Sequence, residues 1–339
     1  LKGRRGFQQS AFTLTDVARE AGVSEITVSR VIRAKGAIAE ETRRRVEAAI
    51  RKVGYVPNRI AGSLASAGSD LIGIIIPSLG NIVFPDVLRG LHDAISGRGF
   101  RAVVSVTDYR LDAERDLVRA LLSWRPAALI VTGCEHEPDS RHMLAHAGLT
   151  VVEVMDIDGD PIDIAVGMSH ARAGRETAAF LLGRGYRRFG YVGHDLERDL
   201  RARRRREAFL ATIRQAGASL AGEVIVPGPS SVPAGRTALA ALRDAHGGID
   251  AVYFSNDDMA IGGVFHCMAA GIAVPASLAI AGFNGLDMGQ ALPQPLTTVL
   301  TRRYEIGRCA GQAVLDRFDG LAVPAATDVG FELLPGATA

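Results

Sequence analysis

Cysteine is scarce in this chain of 339 residues. The three cysteines, Cys134, Cys267 and Cys309, lie far apart with no paired spacing. That excludes a disulfide frame or a zinc site and leaves buried thiols in a reducing compartment. No apolar run approaches the ~20 residues that cross a bilayer. Leu1 to Gln9 is basic and polar, without the apolar centre of a signal peptide, so the expected location is the cytoplasm. The chain starts without Met, so a few native residues are expected to precede it. Catalytic signatures are missing too: there is no nucleophile elbow, Walker loop, dinucleotide glycine fingerprint or metal-ligand spacing. Ser105, Ser169 and eight histidines stand without a triad context, and His92 and His170 read as surface or capping residues. Neither an enzyme nor a metal or cofactor is expected.

What is present is an uneven charge. Residues 1–60 hold thirteen Lys/Arg against six Asp/Glu, and the rest holds 26 against 31. A basic head on a mildly acidic body points to a polyanion partner for the head alone. At 339 residues and 47% hydrophobic content, the chain exceeds one core and predicts two or more domains.

The head is the most specific segment. A short helix beginning near Thr15, which would cap it, puts Val17, Ala18 and Ala21 on one face and is broken at Gly22. Ser24 is placed to cap a second helix with Val28, Val31 and Ile32 inward. Glu25, Ile26, Ser29, Arg30 and Arg33 then face outward, as a major-groove reader requires. A third helix is predicted over Glu40 to Val53, with Val46, Ala49, Ile50 and Val53 inward and Gly54 as its end. Arg43, Arg44 and Arg45 add field rather than specific contacts. Tyr55-Val56-Pro57-Asn58 makes an extended step. Asn58 to Ser66 is an amphipathic scrap too short to hold as an isolated helix. It is either a plain linker or a hinge.

After Asp70 strands and helices alternate. Strands are predicted at Leu71–Ile76, Phe100–Val106, Ala128–Thr132, Val151–Met155, Arg188–Val192, Gly222–Val226, Ala251–Phe254 and Leu278–Phe283. Helices are predicted at Phe84–Arg98, Ala113–Leu122, Ala171–Arg184, Arg204–Ala216, Ala234–Asp244 and Met259–Ala270. Apolar strands separated by amphipathic helices imply parallel sheets covered on both faces, in two α/β lobes with a cleft at the strand C-terminal ends.

The runs Asp16-Val17-Ala18…Ala21-Gly22-Val23-Ser24…Thr27-Val28-Ser29-Arg30-Val31, Tyr55-x-Pro57-Asn58-Arg59, Leu71-Ile72-Gly73, Ser255-Asn256-Asp257-Asp258-Met259-Ala260 and Leu296-Thr297-Thr298-Val299 resemble the lac/gal repressor family. The likeness extends from Phe12 to Phe331. Leu122-Ser123-Trp124, Val151 to Asp156, Asp163 to Gly167, Asp287-Met288-Gly289-Gln290 and Val299-Leu300-Thr301 resemble the gluconate-utilisation repressors within it. The resemblance implies an all-α helix-turn-helix head on a two-lobed body like the periplasmic binding proteins. It divides the chain into a basic tail (1–10), the DNA-binding domain (11–57), a hinge (58–69), a first lobe (70–169 with 301–326) and a second lobe (170–300 with 327–336). The crossings are expected near His170, Leu300 and Thr327.

The resemblance also implies roles. Glu25 and Ile26 would select the half-site, since a carboxylate can accept from a cytosine amino group and isoleucine can touch a thymine methyl. Ser24, Thr27, Ser29 and Arg30 would make mixed base and phosphate contacts. Thr13, Leu14, Tyr55, Asn58 and Ala61 join the same interface, with Thr13, Tyr55 and Asn58 as backbone anchors. Leu64 aligns with the family's hinge leucine, which wedges between minor-groove base steps from paired helices. Its alternative is plain packing. Wedging needs two chains, so a homodimer on a palindromic operator is expected, with no heptad tail for a tetramer.

For the small-molecule effector the resemblance points to Arg205, within the run Arg201 to Arg206. Phe84, Thr132, His136, Asp156, Asn256 and Asp257 follow strand ends. Asn284 stands where most members carry Asp. Losing a carboxylate beside Arg205 would favour an anion such as gluconate or its phosphate. Alternatively Asn284 keeps the same hydroxyl contacts with no preference for charge. A regulator of a neutral sugar, a transport receptor and a ligand-free architectural DNA binder remain as other readings. A small molecule that raises the melting temperature would separate the last of these.

Overall fold

The computed structural model describes residues 12–32, 36–55 and 69–339, in two compact units, Leu1–Gly68 and Ser69–Ala339. In the first, helix α1 (Leu14–Ala21) is capped by Thr13. The Thr13 hydroxyl accepts from the Asp16 amide and the Asp16 carboxylate accepts from the Thr13 amide at 2.9 Å. This capping box corrects the expected cap at Thr15, because only Thr13 has a carboxylate three residues on to answer it. Thr15 instead donates to Glu25 Oε1 at 2.7 Å. Gly22 closes α1 in the left-handed region at φ 62°. Helix α2 (Glu25–Ile32) follows, with Ser24 Oγ accepting from the Thr27 amide. Helix α3 (Glu40–Val53) ends at Gly54. Val17, Ala18, Ala21, Val28, Val31, Val46 and Ala49 form the core of this unit.

In the second unit, β1 (Leu71–Ile76), β2 (Arg101–Val106), β3 (Ala128–Thr132), β4 (Thr150–Asp156) and β5 (Ile164–Met168) belong to a six-stranded parallel sheet. Its order is β11-β5-β4-β3-β1-β2, with β11 at Ala326–Asp328. The four-stranded parallel sheet, order β7-β6-β8-β9, holds β6 (Arg188–His194), β7 (Ser219–Val226), β8 (Ala251–Phe254) and β9 (Ala279–Ala281). Strands β10 (Thr298–Thr301) and β12 (Phe331–Leu334) pair antiparallel. Bridges Ala281–Thr297 and Asn284–Leu300 attach β10 to the second sheet's end.

The helices cover these sheets: α4 (Val83–Ile95), α5 (Leu111–Ser123), α6 (Pro138–Ala145), α7 (His170–Gly183), α8 (Leu200–Gln215), α9 (Val232–Ala245), α10 (Asp257–Ala270), α11 (Asp287–Gln290) and α12 (Arg303–Phe318). Helix α12 packs on α4 through Gly90 and Gly307. A Cβ on Gly90 would strike the Tyr304 carbonyl, and one on Gly307 the Val87 carbonyl. Ile306 and Ala310 join Ile74, Phe84 and Val87 in the first lobe's core.

The chain crosses between lobes three times: from β5 to α7, from β10 to α12, and from β11 to β12. The third crossing corrects the expected one. Thr327 lies inside β11, in register with Val166 of the first sheet. The chain therefore leaves the first lobe after Asp328, and the second lobe regains it at β12 and keeps it to the end, where Thr338 bonds both ways with Ile280.

Candidate functional site

On α2 the buried side is Val28 and Val31. Glu25, Ile26 and Arg30 stand on the solvent side, Ile26 with 67% of its surface exposed. An isoleucine left in water on so short a helix has no packing role, and it sits one residue from a carboxylate oriented by Thr15. Ser24 and Thr27 bond to each other at 3.0 Å at the start of the same helix. Ser29 is half-buried, and Leu14 and Tyr55 pack partly against the core. Thr13 is exposed but occupied by its own capping box. Asn58, Ala61 and Leu64 lie outside the described residues.

Between the two lobes of the body lies a cleft of about 860 Å³. Its walls come from the loops after β1, β2, β6, β8 and β9, the place at which parallel α/β sheets hold ligands. Of the residues expected there, Asn256 and Asn284 line it, and the Asn284 side-chain amide donates to Asn256 Oδ1 at 3.2 Å. Asn284 is strained, at φ 117°. Its carbonyl, which accepts from Arg303 and from Thr301 Oγ1, and its amide, which donates to Val299, hold it there. Strain persists where surrounding bonds over-determine it.

The other expected residues do not line this cleft; Thr132 lines the small annex beside it, and the rest sit behind the walls. Phe84 is fully buried in the first lobe's core, because α4 begins one residue before it and turns the ring inward; Asn81, Ile82 and Pro85 face the cleft instead. Asp257 accepts from Thr298 Oγ1 at 2.6 Å and the Leu286 amide at 2.7 Å, fastening the loop after β9. Burial pushes its carboxyl up to about 6 against those bonds.

His136 is enclosed between Glu114 at 2.7 Å and Glu153 at 3.2 Å. Burial alone would lower its imidazole, but the two carboxylates lift it to about 9. Asp156 is buried, which raises it to about 6, and it pairs with Arg204 across the lobes. Thr132 donates to the Ile75 carbonyl at 3.0 Å.

Arg205 also departs from expectation. Its guanidinium stacks 3.7 Å from the centre of the Phe283 ring and donates to His170 Nδ1 at 3.0 Å and the Ser255 carbonyl at 3.1 Å. Its Nε has no hydrogen-bond partner among the described residues. His170 Nε2 lies 2.9 Å from the Met155 carbonyl, so the ring is neutral with its proton on Nε2. Burial and Arg205 hold it well below the usual imidazole range. Position along the helix sets the difference: Arg198, just ahead of α8, and Arg201, in its first turn, reach the ligand space, and Arg205, on the same face as Arg201, lies a turn deeper.

The walls are also more acidic than expected. Asp86, Asp108, Asp195, Asp199, Asp258 and Asp287 line the wide cleft with Arg198 and Arg303. Asp86 pairs with Arg303 at 3.1 Å. Asp199 is held down at about 2 by Arg201, Arg205 and His194 despite its burial. Asp108 and Tyr109 follow β2 and Asp195 follows β6. The rule that ligands sit at strand C-terminal ends would have found all three.

Beside the cleft a small annex of about 50 Å³ is lined by Thr107, Tyr109, Glu114, Thr132, Glu135 and Arg201, among others. Among the described residues no cluster of His, Cys, Asp or Glu could hold a metal ion, and no helix is long and apolar enough to cross a membrane.

Comparison with known proteins agrees with this geometry. Residues 13–58 match the bacterial regulatory proteins of the lacI family, and residues 178–338 match a periplasmic binding protein-like domain. The HTH-type transcriptional regulator GntR of Pseudomonas aeruginosa is 37% identical over 324 residues, covering 95% of this chain and 94% of that protein. GntR of Escherichia coli K12 is 35% identical, with 95% and 97% covered. A crystal structure of a LacI-family transcriptional regulator from Silicibacter pomeroyi superposes with TM-score 0.92 at 41% identity, covering 96% of this chain and 99% of that one. The relatives are regulators rather than enzymes. The chain belongs to the lacI family of bacterial regulatory proteins and is a DNA-binding transcriptional regulator close to the gluconate-operon repressors.

Proposed function

We propose that this regulator is a cytoplasmic homodimeric repressor that binds a palindromic operator and changes its operator affinity when a small sugar acid, such as gluconate or its 6-phosphate, occupies the cleft. The observation that carries the effector reading is the cleft itself, roomy, largely apolar with charged and amide side chains set into its walls, and bounded by both lobes, so that a ligand touching both walls favours one lobe arrangement over another. The names of the 37% and 35% identical relatives support the sugar-acid class. Glu25 and Ile26 are the proposed base readers. Ser24, Thr27, Ser29 and Arg30 are the proposed accompanying contacts. Asn256 and Asn284 are the proposed hydroxyl partners in the cleft, with Arg205 behind them as a brace between the second lobe and the His170 crossing.

A second reading, a regulator of a neutral sugar, is favoured by the six aspartates of the wide cleft. Calorimetry on the full chain with D-gluconate and D-glucose separates the two. The sugar-acid reading expects at least tenfold tighter binding of gluconate or its phosphate, and equal affinity for glucose establishes the neutral-sugar regulator.

A further inference from the structure

The arginine run of α8 is sorted by the fold into different duties. Arg204 is paired with Asp156 and Glu135, Arg205 is bonded to His170 and Ser255, and Arg206 holds Glu223 in a forked pair at 2.7 and 2.8 Å. Arg203 is half exposed beside Glu207. Arg201 differs from all of these. Only 13% of its side chain is exposed, and no hydrogen bond reaches its guanidinium among the described residues. Its nearest carboxylate, Asp199, is 3.9 Å away and already accepts from the Ala202 amide at 3.1 Å. The guanidinium lies against Gly133 of the opposite lobe and lines the annex.

The other groups of the annex leave it receptive to negative charge. Glu114 is occupied by His136 and Glu135 by Arg204. Arg110 and Arg198 stand at its edge, paired with Asp112 and with Asp195, so Arg201 is the enclosed cation there without a hydrogen-bonded carboxylate among the described residues. Tyr109 stands in both cavities; its hydroxyl accepts from Asn81 at 3.0 Å, which leaves its own proton to donate. Burial keeps that phenol protonated, at about 12. Asp108 and Tyr109 are both held in the left-handed region, at φ 52° and 59°. Such strain gathers at ligand sites. One water needs ~10–15 Å³ measured in this way, so about 50 Å³ admits a carboxylate or phosphate group and excludes a sugar ring.

We propose that the annex seats the acid group of the effector, with Arg201 as its reader, Tyr109 as a second donor, and the polyhydroxy chain extending into the wide cleft toward Asn256 and Asn284. This assignment rests on the sugar-acid reading. It also reconciles an anionic ligand with the aspartates of the wide cleft, because the two ends of the molecule occupy spaces of opposite charge. Arg suits the task, since its planar fork meets a carboxylate or phosphate with two parallel hydrogen bonds.

The test is calorimetry on the full chain with D-gluconate, gluconate 6-phosphate and D-glucose, for the wild type, Arg201→Gln, Arg201→Lys and the control Arg203→Gln. Arg201→Gln is expected to weaken the acids at least tenfold while moving glucose less than twofold. Arg203→Gln, with the same loss of charge outside the annex, is expected to move all three less than twofold. Equal losses for both acids identify the carboxylate as the seated group, and a loss confined to the 6-phosphate identifies the phosphate. If Arg201→Gln does not fold, Arg201→Lys carries the test: it keeps the charge without the fork and is expected to cost the acids at least threefold.

An Arg201 variant that keeps the wild-type preference for the acid, or that weakens glucose as much as the acid, overturns the assignment and leaves the sugar-acid reading standing. A wild type without preference for either acid over glucose removes that reading and the assignment together.

Discussion

In the head, Glu25 and Ile26 project from α2 over a sealed core of Val17, Val28 and Val46, and among the described residues the side-chain bond that ties them to the rest of the head is that of Thr15 to Glu25. In the body, Arg205, Asp257 and Asn284 are buried and tied to His170, Thr298 and Asn256, each tens of positions away in sequence. The head separates stability from recognition, since its core is sealed beneath residues that can change freely. The body merges them, since side chains at and behind the cleft wall also hold the second lobe together. The difference predicts where substitutions will cost folding and where they will cost only binding.

The largest effect is expected in the body. His136→Ala leaves Glu153 buried with no cation, and breaking such a pair costs about 3–5 kcal/mol. Urea unfolding of the full chain measures it, and a loss under about 1 kcal/mol would show that the cluster carries no ionic stabilisation. The same group sets a pH dependence. The folded imidazole titrates near 9, above its unfolded value near 6.5. Its contribution, on the order of 3 kcal/mol, is therefore complete below about pH 6.5 and is lost as the pH rises through 9. The melting temperature of the wild type should fall over that window, and His136→Gln should flatten the fall.

Next in size is the head's recognition face. Replacing Glu25 and Ile26 by alanine should cost about 1–3 kcal/mol per lost base contact on the preferred site only. Random DNA should bind nearly as before, and the melting temperature should not move. Selection from random DNA followed by titration checks this. An unchanged preferred sequence would remove both residues from the readers and erase the contrast drawn above.

A smaller effect, about 1 kcal/mol, is expected for Thr13→Ala through loss of the α1 cap. It should appear as earlier melting of the head, with effector affinity untouched. The smallest is Asn284→Asp. A carboxylate there adds a seventh negative group to the wide cleft and should narrow the acid-over-sugar preference severalfold. Calorimetry reads that ratio, and a widened preference would contradict the sign.

The same contrast explains what could be read from the sequence. Helix α3 was legible to its last residue, because Val46, Ala49, Ile50 and Val53 repeat at helical spacing and Gly54 stops them. Strands β1, β3 and β8 were legible because each is a short apolar run between punctuating residues. Helix α12 was not. Its buried side mixes Ile306, Val314 and Leu315 with Gly307, Ala310, Gly311 and Ala313, and the small residues, which allow close approach to α4, dilute the periodic signal.

Asn256 and Asn284, which line the cleft, were singled out in different ways: Asn256 by its place after a strand end, Asn284 by the resemblance, as the position where most members carry Asp. Arg201 was hidden in an arginine-rich stretch interrupted only by Ala202, where nothing local says which turn of α8 reaches the cleft. Phe84 was misplaced because whether it belongs to the loop or the helix depends on where α4 begins. Asp108 and Tyr109 were within reach of the strand-end rule, since they follow the predicted strand ending at Val106.

Occupation of the body's cleft is expected to alter what the head does on DNA. The direct measurement is fluorescence anisotropy of a labelled operator, selected from random sequence, titrated with the full chain with and without saturating D-gluconate. A coupling of about 1–3 kcal/mol is typical of such proteins, so the operator affinity is predicted to change at least fivefold, with little change on random DNA. An operator affinity unaltered by gluconate, when calorimetry on the same preparation shows the ligand bound, would contradict it.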